Sequence, residues 1–225
     1  MIKPWMFVSP FPSNANLVGY WPLNETSGTN APDESGNGND GTLVNMEDTD
    51  WVDGVVGKCL DFGGTDEYVS RAHTASLAIT GDITISAWIY LSDYSQYNFI
   101  CAKQQVAGTN NQYEFRVESS TGALQLVRAS AVGYQTASGN IAVGTGAWKH
   151  VVVTQSGTSV TFYIDGVAAG TDTISLTPSG VGNFYIGTRV DFMTYFNGLI
   201  DEVRIYSTAL TASEIKALYD YPAGV

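Results

Sequence analysis

Ile83-Thr84-Ile85-Ser86-Ala87-Trp88-Ile89-Tyr90 alternates with period two and is built from β-branched and aromatic residues, the pattern of a strand with two distinct faces. Tyr113-Glu114-Phe115-Arg116-Val117-Glu118 alternates in the same way. His150-Val151-Val152-Val153-Thr154 and Val160-Thr161-Phe162-Tyr163-Ile164 read as neighbouring strands. The Asp165-Gly166 pair that follows is a two-residue hairpin turn, because both positions tolerate positive φ. Phe184-Tyr185-Ile186-Gly187 and Leu199 to Tyr206 extend the series. One helix is legible: Thr211-Ala212-Ser213-Glu214 forms a capping box, and Ile215, Leu218 and Tyr219 supply a one-sided apolar stripe. Many strands, abundant turn residues and a single helix predict an all-β fold: a two-sheet antiparallel β-sandwich with one short C-terminal helix. Residues 1–16 read as a Pro-punctuated extended arm and 17–225 as one domain, without an internal repeat.

The chain has 225 residues, of which only 14% are charged, and 24 are glycine. With 10 Lys and Arg against 22 Asp and Glu, its formal charge is −12. Such a surface repels phosphate backbones and anionic lipid, so nucleic acid is not an expected partner. No run reaches the roughly 18 apolar residues of a membrane helix. Pro4 and Pro10 interrupt the apolar N-terminal stretch, so no signal peptide is read there. Cys59 and Cys101 read as two buried thiols, with a single bridge as the alternative.

Asp33-Glu34-Ser35-Gly36-Asn37-Gly38-Asn39-Asp40-Gly41 is the densest segment of oxygen ligands. A Gly-rich loop can turn carboxylates and carbonyls toward a Ca²⁺. The same residues also make ordinary polar turns, and spacing alone leaves both readings open.

The chain resembles the laminin-G-like, concanavalin-A-like jelly-roll domains. The resemblance rests on Asp33 to Gly41, on Gly57-Lys58-Cys59-Leu60-Asp61-Phe62-Gly63-Gly64 with Tyr68-Val69, and on Ile83 to Ile89. It extends through Trp148-Lys149-His150-Val151 and Tyr163 to Gly166 to the closing run Phe196-Asn197-Gly198-Leu199-Ile200-Asp201-Glu202-Val203-Arg204-Ile205-Tyr206. It implies a jelly roll over about residues 17–221. It also implies a structural Ca²⁺ joining the early loop to the closing strand, held by Asp33, Asn37, Asp40 and either Asp201 or Glu202. Strand alternation puts Asp201 and Glu202 on opposite faces, so one of the two is expected to miss the metal.

Some members of such a fold hydrolyse glycans, which requires two carboxyl groups roughly 5–9.5 Å apart. Glu114 and Glu118 share a strand face, but their backbones lie some 13 Å apart at about 3.3 Å per residue. With Arg116 between them they read as a solvated charge ladder. His150 reads as a packed, hydrogen-bonded core histidine. Catalysis is not expected. Sugar recognition needs aromatic platforms edged by polar groups, and the loop aromatics Tyr94, Tyr97, Tyr134, Phe192 and Tyr195 are the candidates. Trp5, Met6, Phe7 and Val8 form an apolar patch on the arm, suited to docking on other virion or surface-assembly proteins. The expected function is a non-catalytic, calcium-containing module that adheres to glycans or a cell surface, on a virion or extracellularly. A purely structural assembly subunit is the alternative, and a glycan hydrolase the third reading.

Overall fold

A computed structural model describes residues 12–106 and 109–224. The arm residues Trp5, Met6, Phe7 and Val8 lie outside them. In chain order the strands are β1 Leu17–Trp21, β2 Asn30–Ala31, β3 Gly41–Val44, β4 Trp51–Asp53, β5 Lys58–Gly63, β6 Tyr68–Arg71, β7 Ile83–Leu91 and β8 Asn98–Val106. They continue with β9 Thr109–Val117, β10 Ala123–Ser130, β11 Gly133–Ala142, β12 Trp148–Ser156, β13 Ser159–Ile164, β14 Val167–Thr173, β15 Asn183–Ile186 and β16 Asn197–Tyr206, before helix α1 at Ala212–Asp220.

These strands form two antiparallel sheets. The first has the order β14-β13-β12-β7-β16-β5-β4, with β1 also on β16; the second runs β11-β10-β9-β8-β15-β6-β3-β2. Their inner faces meet in one core, to which β7 sends Ile83, Ile85 and Ile89, and β9 sends Tyr113, Phe115 and Val117. Trp21 is fully buried there, stacked on Phe184 with ring centroids 4.7 Å apart. The period-two pattern places these residues inward because successive side chains leave opposite faces of a strand. The hairpin at Asp165-Gly166 forms as the sequence predicts, with φ of 52° and 75°.

The outer face of the first sheet is covered by α1. Thr211 and Glu214 make the predicted capping box. Ile215 and Leu218 bury against Val152, Leu17 and Tyr206. Tyr219 stacks on Trp88 at 5.5 Å. His150 lies beneath this layer, fully buried, with Nε2 2.9 Å from the Ser86 hydroxyl and Arg204 as its nearby charge. Both cysteines are buried free thiols.

Two expectations follow. Gly198 sits at φ 138°, and a Cβ there would strike the Tyr90 carbonyl oxygen. Gly198→Ala should therefore cost more than about 2 kcal/mol in denaturant unfolding. Burial, reinforced by the Arg204 charge, holds the His150 pKa down to about 3. The unfolded chain takes up this proton below about pH 6.5 while the native state does not. Stability from this group is complete above pH 6.5 and is lost as pH falls toward 3. His150→Asn should flatten the pH dependence of the melting temperature in that window.

Candidate functional site

The closing strand β16 carries a β-bulge. Asp201 pairs with Trp88 but Arg204 pairs with Ser86, one residue out of step. Glu202 absorbs the extra residue at φ 55°. The bulge corrects the expectation that Asp201 and Glu202 point to opposite faces, because an inserted residue resets the alternation. Both carboxyls leave the outer face of the first sheet, and both are fully buried.

Their partners differ. Asp201 Oδ2 accepts from the N–H groups of Val55 and Val56 at 2.7 and 3.1 Å, fixing the turn between β4 and β5. Burial pushes its pKa up to about 7. Glu202 accepts from the Tyr20 hydroxyl at 2.9 Å and pairs with Arg204 at 2.5 Å. Burial raises its pKa, and Arg204 opposes the rise. The Arg204 guanidinium also lies over the Tyr20 ring at 4.1 Å.

The Asp33 loop is folded around its own aspartate. Asp33 Oδ1 accepts from the N–H groups of Tyr20 and Ser35, both at 2.9 Å. Its Oδ2 accepts from the Ser35 hydroxyl and the Asn39 N–H, both at 2.8 Å. Four donors occupy about four lone-pair sites. Asp40 Oδ1 accepts from the Asp33 N–H, while Asn37 Nδ2 donates to the Leu17 carbonyl at 3.0 Å. This donor set does not fit a shared Ca²⁺: the oxygens of Asp33 face hydrogens, and Asp201 is turned to a different loop. Among the described residues no three His, Cys, Asp or Glu side chains converge as metal ligands. The join that the resemblance assigns to a cation is made by Tyr20, whose N–H meets Asp33 and whose hydroxyl meets Glu202.

The second feature is the outer face of the second sheet. Register aligns Ser138, Gln125, Arg116 and Phe99 in one row across β11, β10, β9 and β8. Gln125 Nε2 donates to the Ser138 hydroxyl at 3.1 Å, and Arg116 Nε donates to Gln125 Oε1 at 3.0 Å. The Arg116 guanidinium lies 4.3 Å from the centre of the Tyr97 ring and 5.6 Å from that of Phe99. Arg189 lies over Phe99 at 5.0 Å and pairs with Asp191 at 2.6 Å. Tyr68, Tyr185, Phe192 and Tyr195 continue the face, with Phe192 5.2 Å from Tyr68 and 5.6 Å from Tyr185, and Tyr195 6.4 Å from Tyr68. Phe192 is exposed and Met193 beside it more so. At the other end of the row an open groove of about 380 Å³ is lined by Glu118, Thr121, Gln125, Ser138 and Asn140 among others.

Of the loop aromatics expected from the sequence, Tyr97, Phe192 and Tyr195 share this face. Tyr94 packs against the core, its ring covering Gly122. Tyr134 stands exposed by the β10–β11 hairpin tip. The charge ladder is corrected as well. Glu114 is 1% exposed and pairs with Arg116 at 3.2 Å, because the loop from 188 to 196 folds across this part of the sheet. Glu118 accepts four hydrogen bonds from Ser120 and Thr121, which hold its pKa down to about 2. Phe99, Gln125, Arg189, Tyr68 and Tyr185 were not read from the sequence, since only cross-strand register brings them together.

Tyr20→Phe removes the donor to Glu202, leaving a buried carboxylate with one partner fewer. It should cost about 1–3 kcal/mol in unfolding. Melting curves in excess Ca²⁺ and in EDTA should superimpose; a calcium-dependent rise would show that a cation joins these carboxylates.

Residues 62–216 match the concanavalin A-like lectin/glucanase superfamily. An 81-residue stretch, 34% of this chain, is 33% identical to the adhesion G-protein coupled receptor V1 of Danio rerio, and it spans 1% of that receptor's length. Among solved structures, domain 4 of AbnA, an extracellular arabinanase from Geobacillus stearothermophilus, in complex with arabinotriose, superposes with a TM-score of 0.71. It is 22% identical, over 91% of this chain and 98% of that one. The binding domain of Paraclostridial Mosquitocidal Protein 1 superposes with a TM-score of 0.70 at 16% identity, over 93% of this chain and 53% of that one. The match over residues 62–216, which the two-sheet sandwich accommodates, makes this chain a member of the concanavalin A-like lectin/glucanase superfamily.

Proposed function

We propose that this chain is a non-catalytic module that adheres to glycans on an extracellular surface through the outer face of its second sheet. One observation carries the reading: the row Ser138–Gln125–Arg116 lies beside the half-buried ring of Tyr97, with Phe99 fully buried beneath the guanidinium. Sugars present hydroxyl edges and apolar C–H faces. A row of amide, hydroxyl and guanidinium groups next to an accessible aromatic ring answers both. The solved complex of the arabinanase domain with arabinotriose supports a saccharide as the ligand. The stretch shared with an adhesion receptor supports an extracellular setting.

The charges narrow the ligand. Arg116 is paired with Glu114 and Arg189 with Asp191, so neither guanidinium is left as a bare cation. Glu118 adds a negative charge at the groove, in a chain of net charge −12. Such a face suits neutral saccharides better than uronic acids or sialic acids. The same acids argue against hydrolysis at this face. A glycosidase needs a carboxylic acid kept protonated near neutral pH. Glu118 is held ionised by its hydrogen bonds, and Glu114 is buried against Arg116.

A broad glycan array tests the reading. Neutral oligosaccharides should bind, Arg116→Ala and Tyr97→Ala should each weaken them at least about fivefold, and incubation should release no reducing ends. Release of reducing ends would make the chain a hydrolase. Binding that survives both substitutions would move the site off this face.

A further inference from the structure

The open groove of about 380 Å³ at the end of the row differs from the row in its hydrogen-bonding polarity. Glu118, Ser120 and Thr121 line it at the β9–β10 turn, Gln125 on β10, and Ser138 and Asn140 on β11. All four hydrogen bonds that Glu118 accepts from this turn fall on one oxygen. Oε2 takes the N–H and the hydroxyl of Ser120 at 3.0 and 2.8 Å, and those of Thr121 at 2.8 Å each. None of the four reaches Oε1. An ionised carboxylate can only accept, so the hydroxyl hydrogens of Ser120 and Thr121 are directed at Oε2. Toward a ligand these three side chains offer lone pairs and no hydrogens. Thr121 Oγ1 also takes the Ala123 N–H at 3.2 Å, which leaves Glu118 Oε1 and Ser120 Oγ as the freer acceptors.

The charge at this end has one sign. The bonds to Oε2 keep the Glu118 carboxyl ionised well below neutral pH. Among the described residues no Lys or Arg lines the groove. Arg116, two residues before Glu118, turns its guanidinium to Glu114 and the Tyr97 ring. Asp172 on β14 accepts from the Ser138 N–H at 3.0 Å and adds a second negative charge beside the groove. A neutral sugar hydroxyl brings one hydrogen to such a wall, and an anion brings none. A primary ammonium brings three hydrogens and a positive charge. A Ca²⁺ needs six to eight oxygens, and among the described residues no three acids converge to supply its carboxylates. Gln125 and Ser138 belong to the row as well as to the groove. A saccharide lying along the row therefore reaches Glu118 with its end unit, and Ser138 and Asn140 continue the partners for that unit's hydroxyls. The volume falls in the range of about 300–1,000 Å³ typical of ligand clefts.

We propose that this groove selects an amino sugar, a unit whose free, protonated amine donates to Glu118 Oε1 and Ser120 Oγ. The inference rests on the reading of the sheet face as a saccharide site and names the class of unit held at its end.

The test is calorimetric titration of the full-length protein at pH 6, where a sugar amine is protonated as a chain terminus of pKa about 8 is. The ligands are glucosamine oligomers, the same oligomers N-acetylated, and the same oligomers N-trimethylated. The free amine should bind about fivefold tighter than the acetylated form. The trimethylated form keeps the charge but has no N–H, and should fall back to within about twofold of the acetylated one. Glu118→Gln should erase the preference and leave the acetylated oligomers bound as before. Asp220→Asn on α1 changes the net charge equally at the other sheet and should keep the preference. If Glu118→Gln does not fold, the trimethylated ligand decides. A preference that survives Glu118→Gln would overturn the proposal. So would displacement of the amine by Ca²⁺ but not by Na⁺ at equal ionic strength, or a lysine-rich peptide binding as tightly as the amino sugar. Acetylated oligomers that bind with no gain from the free amine would overturn this inference and leave the sheet-face reading standing. Failure of every oligosaccharide to bind would overturn both.

Discussion

The bulge at Glu202 is the constraint on which the rest of this fold turns. β16 is the strand shared by β7, β5 and β1, so its geometry sets the positions of β1 and of the segment leading into α1. A regular strand would have sent Asp201 and Glu202 to opposite sides, one of them into the apolar core, at a cost of several kcal/mol for an unpaired charge. The inserted residue instead brings both to the outer face. There, Asp201 clamps the β4–β5 turn and Glu202 meets Tyr20 and Arg204. Tyr20 passes the connection on to Asp33, so that one tyrosine joins the closing strand to the early loop. This is a hydrogen-bonded joint in the place where the family resemblance implies a metal.

The two faces of the molecule then take separate tasks. The outer face of the first sheet is closed by α1, whose Tyr219 lies on Trp88 over a buried His150. Among the described residues no helix covers the outer face of the second sheet. It keeps a row of polar side chains beside Tyr97 and Phe99, partly roofed by the loop from 188 to 196. Rigid strands hold the row in register, while the loop supplies the exposed Phe192 and Met193. A scaffold of this kind presents a preorganised surface at little entropic cost on binding.

Much of this architecture was legible in the sequence. The alternation of 83–90 and 113–118, the Asp165-Gly166 turn and the Thr211 capping box are local signals, and each names its own element. The site was only partly legible, because it depends on register. Nothing in Gln125 or Phe99 announces that they will flank Arg116; that follows from pairings set by turns many residues away. Glu114 and Arg116 read as solvated because alternation tells which face a residue takes and not whether a distant loop covers it. The bulge escaped for a related reason. Glu202 is an ordinary residue in an apolar run, and only the pairing of β16 with β7 shows that one position is out of step.

If the outer face of the second sheet is where this module meets its ligand, binding must change the dynamics of that face and of no other. Hydrogen exchange, recorded with and without a neutral oligosaccharide that the protein binds, tests it most directly. Exchange should slow in segments 97–99, 114–118, 125–127 and 189–195, with α1 unchanged. Protection confined to α1 or to the Asp33 loop, with those four segments unaltered, would contradict it.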